Sequence, residues 1–294
     1  MTLVWGFVLA ALSVTGFAAT FVFGGALTKG EGVSPEVLSF LRFAIAGGAM
    51  LAVGSATPRG RRQLLSPTRR DWLSMLWLAP VGTAIMAWCV FMGCARVSTA
   101  NASMADALTP LMIFVTDAFF RRRVDGRGLV GLFCGLVGAL LVIQVVHAGG
   151  LALEAYSVGD VFVLLSAAVW GLYTVCGREL NIRLGSSVFT AWTMTLGAAM
   201  MGVVCLLGGF AWPKTVHAWL LTLGLGLVST LLPFWTWNAA QRFLPISTLA
   251  MTAYFTPIIA VALGVVFLGE GVTPLQWVGT AFVIASALVE TSGR

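Results

Sequence analysis

The stretch PISTLAMTAYFTPIIAVALGVVFLGEGVTPLQWVGTAFVIASALV, Pro245 to Val289, decides the fold. It reads as an apolar helix interrupted by Pro257, a Gly269-Glu270-Gly271 turn and a second apolar helix. An imperfect copy stands 147 residues earlier, STANASMADALTPLMIFVTDAFF from Ser98 to Phe120. At that offset Thr109-Pro110 falls on Thr256-Pro257, and an Arg-rich turn then leads into Gly128 to Val146. One apolar helical pair, written twice half a chain apart, signals an internal repeat. Inside a membrane such a repeat predicts a carrier with its site between the halves.

Composition names the solvent. The chain is 59% hydrophobic and 10% charged, against about 25% charged in soluble domains. Apolar runs of roughly 20 residues recur from end to end, the length that crosses a ~30 Å hydrocarbon core. The net charge of +6 does not point to nucleic acid, because the arginines sit in short turns between apolar runs. Five cysteines lie inside predicted spans with no CxxC pair, so neither a disulfide framework nor a metal site is expected.

Ten spans are expected. The first runs from about Leu3 to Thr28 and is too long for a signal peptide, so it is read as retained. The others cover about Pro35–Ser55, Trp72–Cys94, Ser98–Phe120, Gly128–Val146, Gly159–Leu180, Val188–Gly209 and Val216–Ala239, then the two helices of the opening stretch. Arg178 to Ser187 is read as a turn. The loops after the second, fourth, sixth and eighth spans hold five, four, two and one Arg, while the opposite side holds Lys29, Arg96 and Lys214. This bias places both termini in the cytoplasm. Five spans per half make the second half enter the membrane upside down, with a pseudo-two-fold axis in the membrane plane. Two such halves can exchange conformations and alternate access.

In its motifs the chain resembles the drug/metabolite transporter superfamily, in its ten-helix EamA-type branch. The resemblance rests on Leu41-Arg42-Phe43, Trp170-Gly171, Thr256-Pro257 and Leu268-Gly269-Glu270, and on their order along nearly the whole chain. Within the superfamily the chain looks most like the bacterial aromatic amino acid exporters. The first half departs from the pattern: Thr15 stands where Trp170 stands in the second, and Arg122-Arg123 replaces Gly269-Glu270. The resemblance implies an all-α integral membrane protein of ten transmembrane helices, two inverted five-helix repeats around a central cavity. The repeats would be residues 1–146 and 159–294, joined by an extracytoplasmic loop at 147–158. The first four helices of each repeat would wall the cavity, with the fifth and tenth outside. It also implies a multi-pass protein of the bacterial inner membrane.

Polar groups deep in spans are the functional candidates, because a charge at a helix centre costs about 2.5–3.5 kcal/mol on insertion scales. Arg42 and Asp106 are the deep ones. They stand seven residues from Pro35 and eight from Ser98, or ~10 and ~12 Å below one face at 1.5 Å per residue. Two readings stay open: an ion pair locking two helices, or a substrate carboxylate on Arg42 with Asp106 taking a proton. Asn101 lies on the same span as Asp106. Trp88, Trp170, Tyr173, Trp237 and Tyr254 are candidate aromatic walls, suited to a hydrophobic neutral or zwitterionic solute; ordinary core packing is the competing reading of each. Pro80, Pro110, Pro233 and Pro257 each free a carbonyl and favour a kink, so they are candidate gating points. Static kinks are the alternative. Gly131 and Gly135 form a GxxxG pair, read as packing within one subunit.

The function these features predict is export of small metabolites, most of all amino acids including aromatic and hydrophobic ones. Antiport of phosphorylated metabolites or nucleotide sugars is the runner-up within the superfamily, but Arg42 alone makes a poor phosphate clamp. Export of other hydrophobic molecules is a further alternative. An enzyme is not expected: the chain has no HExxH, no paired intramembrane aspartates and no P-loop. The expected partners are the lipid bilayer and one amino acid-like solute, without cofactor, metal or nucleic acid, and the chain is expected to act as a monomer.

Overall fold

The computed structural model describes residues 2–96, 108–121, 126–142, 146–147, 150–151, 158–256, 258–259 and 274–291. Six helical stretches are long and apolar enough to cross a membrane: Leu3–Gly30, Pro35–Ser55, Arg69–Cys94, Val158–Leu184, Ser186–Leu207 and Val216–Ala240. Thr109–Phe120 and Leu129–Gly138 are shorter apolar helices. Leu206 and Leu207 are 87% and 85% exposed, which is the surface expected of side chains bathed in lipid. The protein is helical and membrane-embedded.

Helix α1 is Thr2–Gly25 and continues as a π-helical turn, Ala26–Gly30. Helix α2, Pro35–Ser55, begins with proline at its first turn, where a missing N–H costs nothing. The basic loop after it is not all loop. Pro58–Leu64 forms a short helix, α3, because the Thr57 hydroxyl accepts from the Gly60 N–H and Pro58 presets the first turn. Helix α4 spans Arg69–Cys94 and starts with a capping box between Thr68 and Asp71. Helices α5, Thr109–Arg121, and α6, Gly126–Val142, follow. Val146–His147 pairs antiparallel with Gly150–Leu151.

Helix α7 runs Val158–Leu184 and α8 runs Ser186–Leu207. The expected turn from Arg178 to Ser187 is therefore mostly helix. A single residue, Gly185 at φ 88°, breaks the chain, and only glycine enters that region without penalty. Helix α9 is Val216–Ala240, α10 is Ile246–Thr252 and α11 is Pro274–Thr291. Helix α4 has a π-helical segment at Pro80–Ile85 and α9 has one at Leu227–Leu231. Prolines predict kinks here, but nothing in the residue order signals these wider turns.

The helices pair in a regular way. Helix α2 packs along α8 and α6 along α11; α1 packs on α9 and α4 on α7. A β-carbon at Gly138 would fall 2.7 Å from the Gly279 carbonyl oxygen. This close approach of α6 and α11 lies one step beyond the GxxxG pair and within one chain. Most of the core is one continuous cluster, while Leu132, Met251, Tyr254 and Val283 form a second, smaller one between α6, α10 and α11.

Candidate functional site

At the centre of the bundle lies a cavity of about 60 Å³. Among the described residues, α1 lines it with Phe17, Thr20 and Phe21, α2 with Arg42, and α4 with Met86 and Val90. Helix α5 adds Thr109, α7 adds Ser166, Ala167 and Trp170, and α9 adds Phe234 and Trp237. Ala253 and Thr256, past α10, complete the described wall. Among the described residues, none from α6 or α11 lines it. Helix α8 lines nothing in it, although the four-helix wall of the second half was expected to include it. The volume is far below the ~300 Å³ of an ordinary ligand pocket.

Arg42 is the central charge, 1% exposed. Its position follows from Pro233. Proline has no N–H, so in α9 the Ser229 carbonyl four residues back loses its α-helical donor. That carbonyl accepts from Arg42 Nη2 at 3.4 Å and from Thr20 Oγ1 at 3.2 Å. The neighbouring Thr230 hydroxyl accepts from Arg42 Nε at 2.9 Å, and itself donates to the Leu225 carbonyl, five residues back, in the π geometry. Rings surround the guanidinium: Phe43, Phe91 and Phe234 have centroids 5.1, 5.3 and 5.9 Å from its central carbon. Cation–π attraction is strongest where water is excluded. Helix α1 is fastened to the same proline. Ser13 donates to the Pro233 carbonyl at 2.8 Å, and a β-carbon at Gly16 would lie 2.9 Å from the proline ring. Ser13, Gly16 and Thr20 share one face of α1.

Trp170 stands edge-on to Phe17 at 5.3 Å and to Phe234 at 5.0 Å, and stacks on Tyr173 at 5.3 Å. Tyr173 forms a second layer behind Trp170, with no place on the cavity wall. Asn238 donates to its hydroxyl at 3.2 Å and to Thr190 Oγ1 at 2.9 Å. Asn181 then reaches the Asn238 carbonyl at 2.8 Å and the Gln241 side chain at 3.2 Å. This buried polar network ties α7, α8 and α9 beneath the aromatic wall.

The other expected site residues scatter. Trp88 is not part of the cavity wall and donates from Nε1 to Glu36 at 2.9 Å, both side chains being half-buried. Tyr254 belongs to the second core cluster and donates to the Leu132 carbonyl at 3.0 Å. Pro80 opens the π segment of α4, Pro233 sits just past that of α9, and Pro110 lies in the first described turn of α5. Asn101, Asp106 and Pro257 lie outside the described residues. Thr20, Ser229 and Thr230 were not singled out from sequence. A Ser-Thr pair one turn before an intraspan proline was the available signal.

Two polar ties close the ends of the bundle. Asp71 at the start of α4 pairs with Arg183 at the end of α7, beside a polar cleft of about 310 Å³ that also holds Arg70 and Glu179. Past the end of α1, Glu31 meets His217 Nδ1 at 2.8 Å and the Thr215 hydroxyl at 2.9 Å, at the start of α9. The bonds from His217 and then Thr215 hold the Glu31 carboxyl below its ordinary range.

Lipid-length helices around an aromatic-walled cavity with a buried guanidinium fit a membrane carrier. The chain matches the profile of the EamA-like transporter family over residues 4–144 and again over 157–291. It belongs to that family. It is 29% identical over 299 residues to a probable terminal-alkyne amino-acid exporter of Streptantibioticus cattleyicolor, covering 99% of this chain and 95% of that one. It is 23% identical to an uncharacterized transporter of Archaeoglobus fulgidus, with 97% and 96% covered. A pseudopaline exporter of Pseudomonas aeruginosa is 26% identical over 55% of each chain. A protein of known crystal structure superposes with a TM-score of 0.76 at 22% identity, over 99% of this chain and 96% of that one.

Proposed function

We propose that this EamA-family carrier exports small amino acid-like metabolites, aromatic and hydrophobic ones among them, by alternating access between two inverted five-helix repeats. The observation that carries the substrate class is the cavity: one buried guanidinium, Arg42, in a mainly aromatic and apolar wall that also carries the hydroxyls of Thr20, Thr109, Ser166 and Thr256. That suits a solute with a single acidic group and an apolar body. A phosphate dianion calls for more positive charge than Arg42 supplies.

Several features support two repeats at 1–146 and 159–294. Both π segments begin at equivalent places, Pro80 and Leu227, 147 residues apart. The helix pairings are unchanged when the halves are exchanged: α2 with α8 and α6 with α11 map onto themselves, while α1 with α9 maps onto α4 with α7. The family profile also matches twice. Gating falls to the proline-bearing spans, at Pro80, Pro110, Pro233 and Pro257, with both termini in the cytoplasm of a bacterial inner membrane. Asp106 is the proposed proton site if export is coupled.

The test is uptake into liposomes holding the purified protein, with labelled phenylalanine, threonine and glucose-6-phosphate, with and without a pH gradient. Phenylalanine flux is expected. Glucose-6-phosphate flux without amino acid flux would sink the reading, and flux that needs the gradient and disappears in Asp106→Asn would place proton coupling at Asp106.

A further inference from the structure

Two buried donors on the cavity wall have no acceptor. Arg42 Nη1 and Trp237 Nε1 are both buried without a hydrogen-bond partner, and both residues line the same cavity of about 60 Å³. Almost every buried N–H in a folded protein is satisfied, so an orphan asks for an explanation. Arg42 is not short of local partners by accident. The Nε–Nη2 edge of its planar fork is bound by Thr230 and the Ser229 carbonyl, which pins the guanidinium and leaves the Nη1 corner over. Trp237 is 1% exposed; its ring packs at 5.9 Å from Trp170 and 6.2 Å from Phe17, so the indole is held in place too. Two fixed donors, one of them charged, thus belong to residues that line one small cavity.

We infer that Arg42 Nη1 and Trp237 Nε1 form a two-point carboxylate subsite, which anchors the acid end of a monocarboxylate with an apolar body. The inference rests on the transporter reading and deepens it: a carboxylate offers two acceptor oxygens and one negative charge, the complement of these two groups. The rings of Phe17, Phe234 and Trp170 then face the rest of the solute. An amine or amide of the same body lacks the second acceptor or the charge and leaves the guanidinium unpaired.

The experiment measures binding of four probes to the purified protein by calorimetry: phenylalanine, 3-phenylpropanoate, phenylalaninamide and 2-phenylethylamine. Both carboxylates are expected to bind at least about tenfold more tightly than the amide and amine, as a lost bond to a charged group predicts. Trp237→Phe keeps the ring and removes only the N–H. It is expected to weaken the carboxylates about tenfold and leave the amine unchanged; Arg42→Gln should weaken them further. Wild-type carboxylate affinity in Trp237→Phe would overturn the subsite, and so would equal binding of acid and amide. Phenylalanine flux in liposomes that survives Trp237→Phe unchanged overturns the subsite and leaves the export reading standing. Carboxylate binding that depends on Trp237, without flux of any amino acid, leaves the subsite standing and overturns the export reading.

Discussion

Helices α4 and α9 are built alike and used differently. Each starts behind a threonine N-cap, Thr68 and Thr215, and each opens into a π-helical segment, at Pro80 and Leu227. Each then buries a threonine completely, Thr83 and Thr230. All three pairs are 147 residues apart. The next comparison separates them: Gly82 in α4 stands where Ser229 stands in α9. At Gly82 a β-carbon would lie 2.0 Å from the Tyr173 ring, and Thr83 fills the space over Gly197. The α4 segment is a packing surface. In α9 the serine and threonine turn their oxygens to Arg42 and Thr20. One backbone device serves close packing in one half and a polar site in the other. A wide turn supplies displaced carbonyls, and the side chains beside it decide which use it has.

Substitutions at the matched positions break this comparison most sharply. Gly82→Ala is expected to have the largest effect, because the added methyl overlaps a buried ring that has no room to move. Overpacking of this kind costs about 1–3 kcal/mol or more, so the melting midpoint in detergent should fall sharply. Ser229→Ala keeps the carbonyl that binds Arg42 and should melt near wild type. If both behave alike, the contrast between packing and site is wrong.

Thr230→Val comes next. It removes the acceptor of Arg42 Nε and leaves a charged donor short by one bond, at about 1.5–3 kcal/mol. Solute flux in liposomes should fall about tenfold or more, since 1.4 kcal/mol is one factor of ten. Thr83→Val, whose hydroxyl only faces the Ala79 and Thr193 carbonyls, should leave flux near wild type and lower stability modestly. Equal flux losses would remove the distinction.

The two end ties differ as well. Asp71→Asn breaks the pair with Arg183 and weakens the capping box with Thr68. The cap is worth roughly 0.5–2 kcal/mol, and the ion pair adds little because Arg183 is half exposed and screened. A stability loss of about 1 kcal/mol is expected, largely insensitive to salt. The smallest effect belongs to Glu31. Its carboxyl titrates below its ordinary range because His217 and Thr215 bond to it. Its contribution is therefore fully present above the ordinary glutamate range and is lost as pH falls through the depressed value. Melting midpoints of wild type and Glu31→Gln should differ slightly at neutral pH and converge in acid. A gap that widens in acid would reverse the sign and break the assignment.

What could be read in the sequence followed from local chemistry. Apolar runs of bilayer length name the solvent, and this alone made the chain helical. Arg42 stood out because a charge in such a run is expensive, and Trp170 and Trp237 as aromatic rings deep in spans. Trp88 and Tyr254 looked the same by those criteria, yet one is held by Glu36 and the other by the Leu132 carbonyl. Depth along a helix is written in the sequence, but the direction a ring faces depends on which helix packs beside it. The short helix α3 is legible in Thr57 and Pro58, an N-cap threonine followed by a first-turn proline. The π segments were not readable, because their signal is a hydrogen bond shifted by one residue.

Residue order by itself therefore determined the membrane, the helices, the prolines and the single deep arginine, all set by hydrophobicity and by neighbours along the chain. Only the tertiary structure decided that the carbonyl freed by Pro233 goes to a guanidinium 187 residues away and that the N–H of a tryptophan in the same cavity wall is buried without a partner. Those outcomes depend on which surfaces meet when α1, α2 and α9 pack. A buried polar group must take whatever partner that packing brings within about 3 Å.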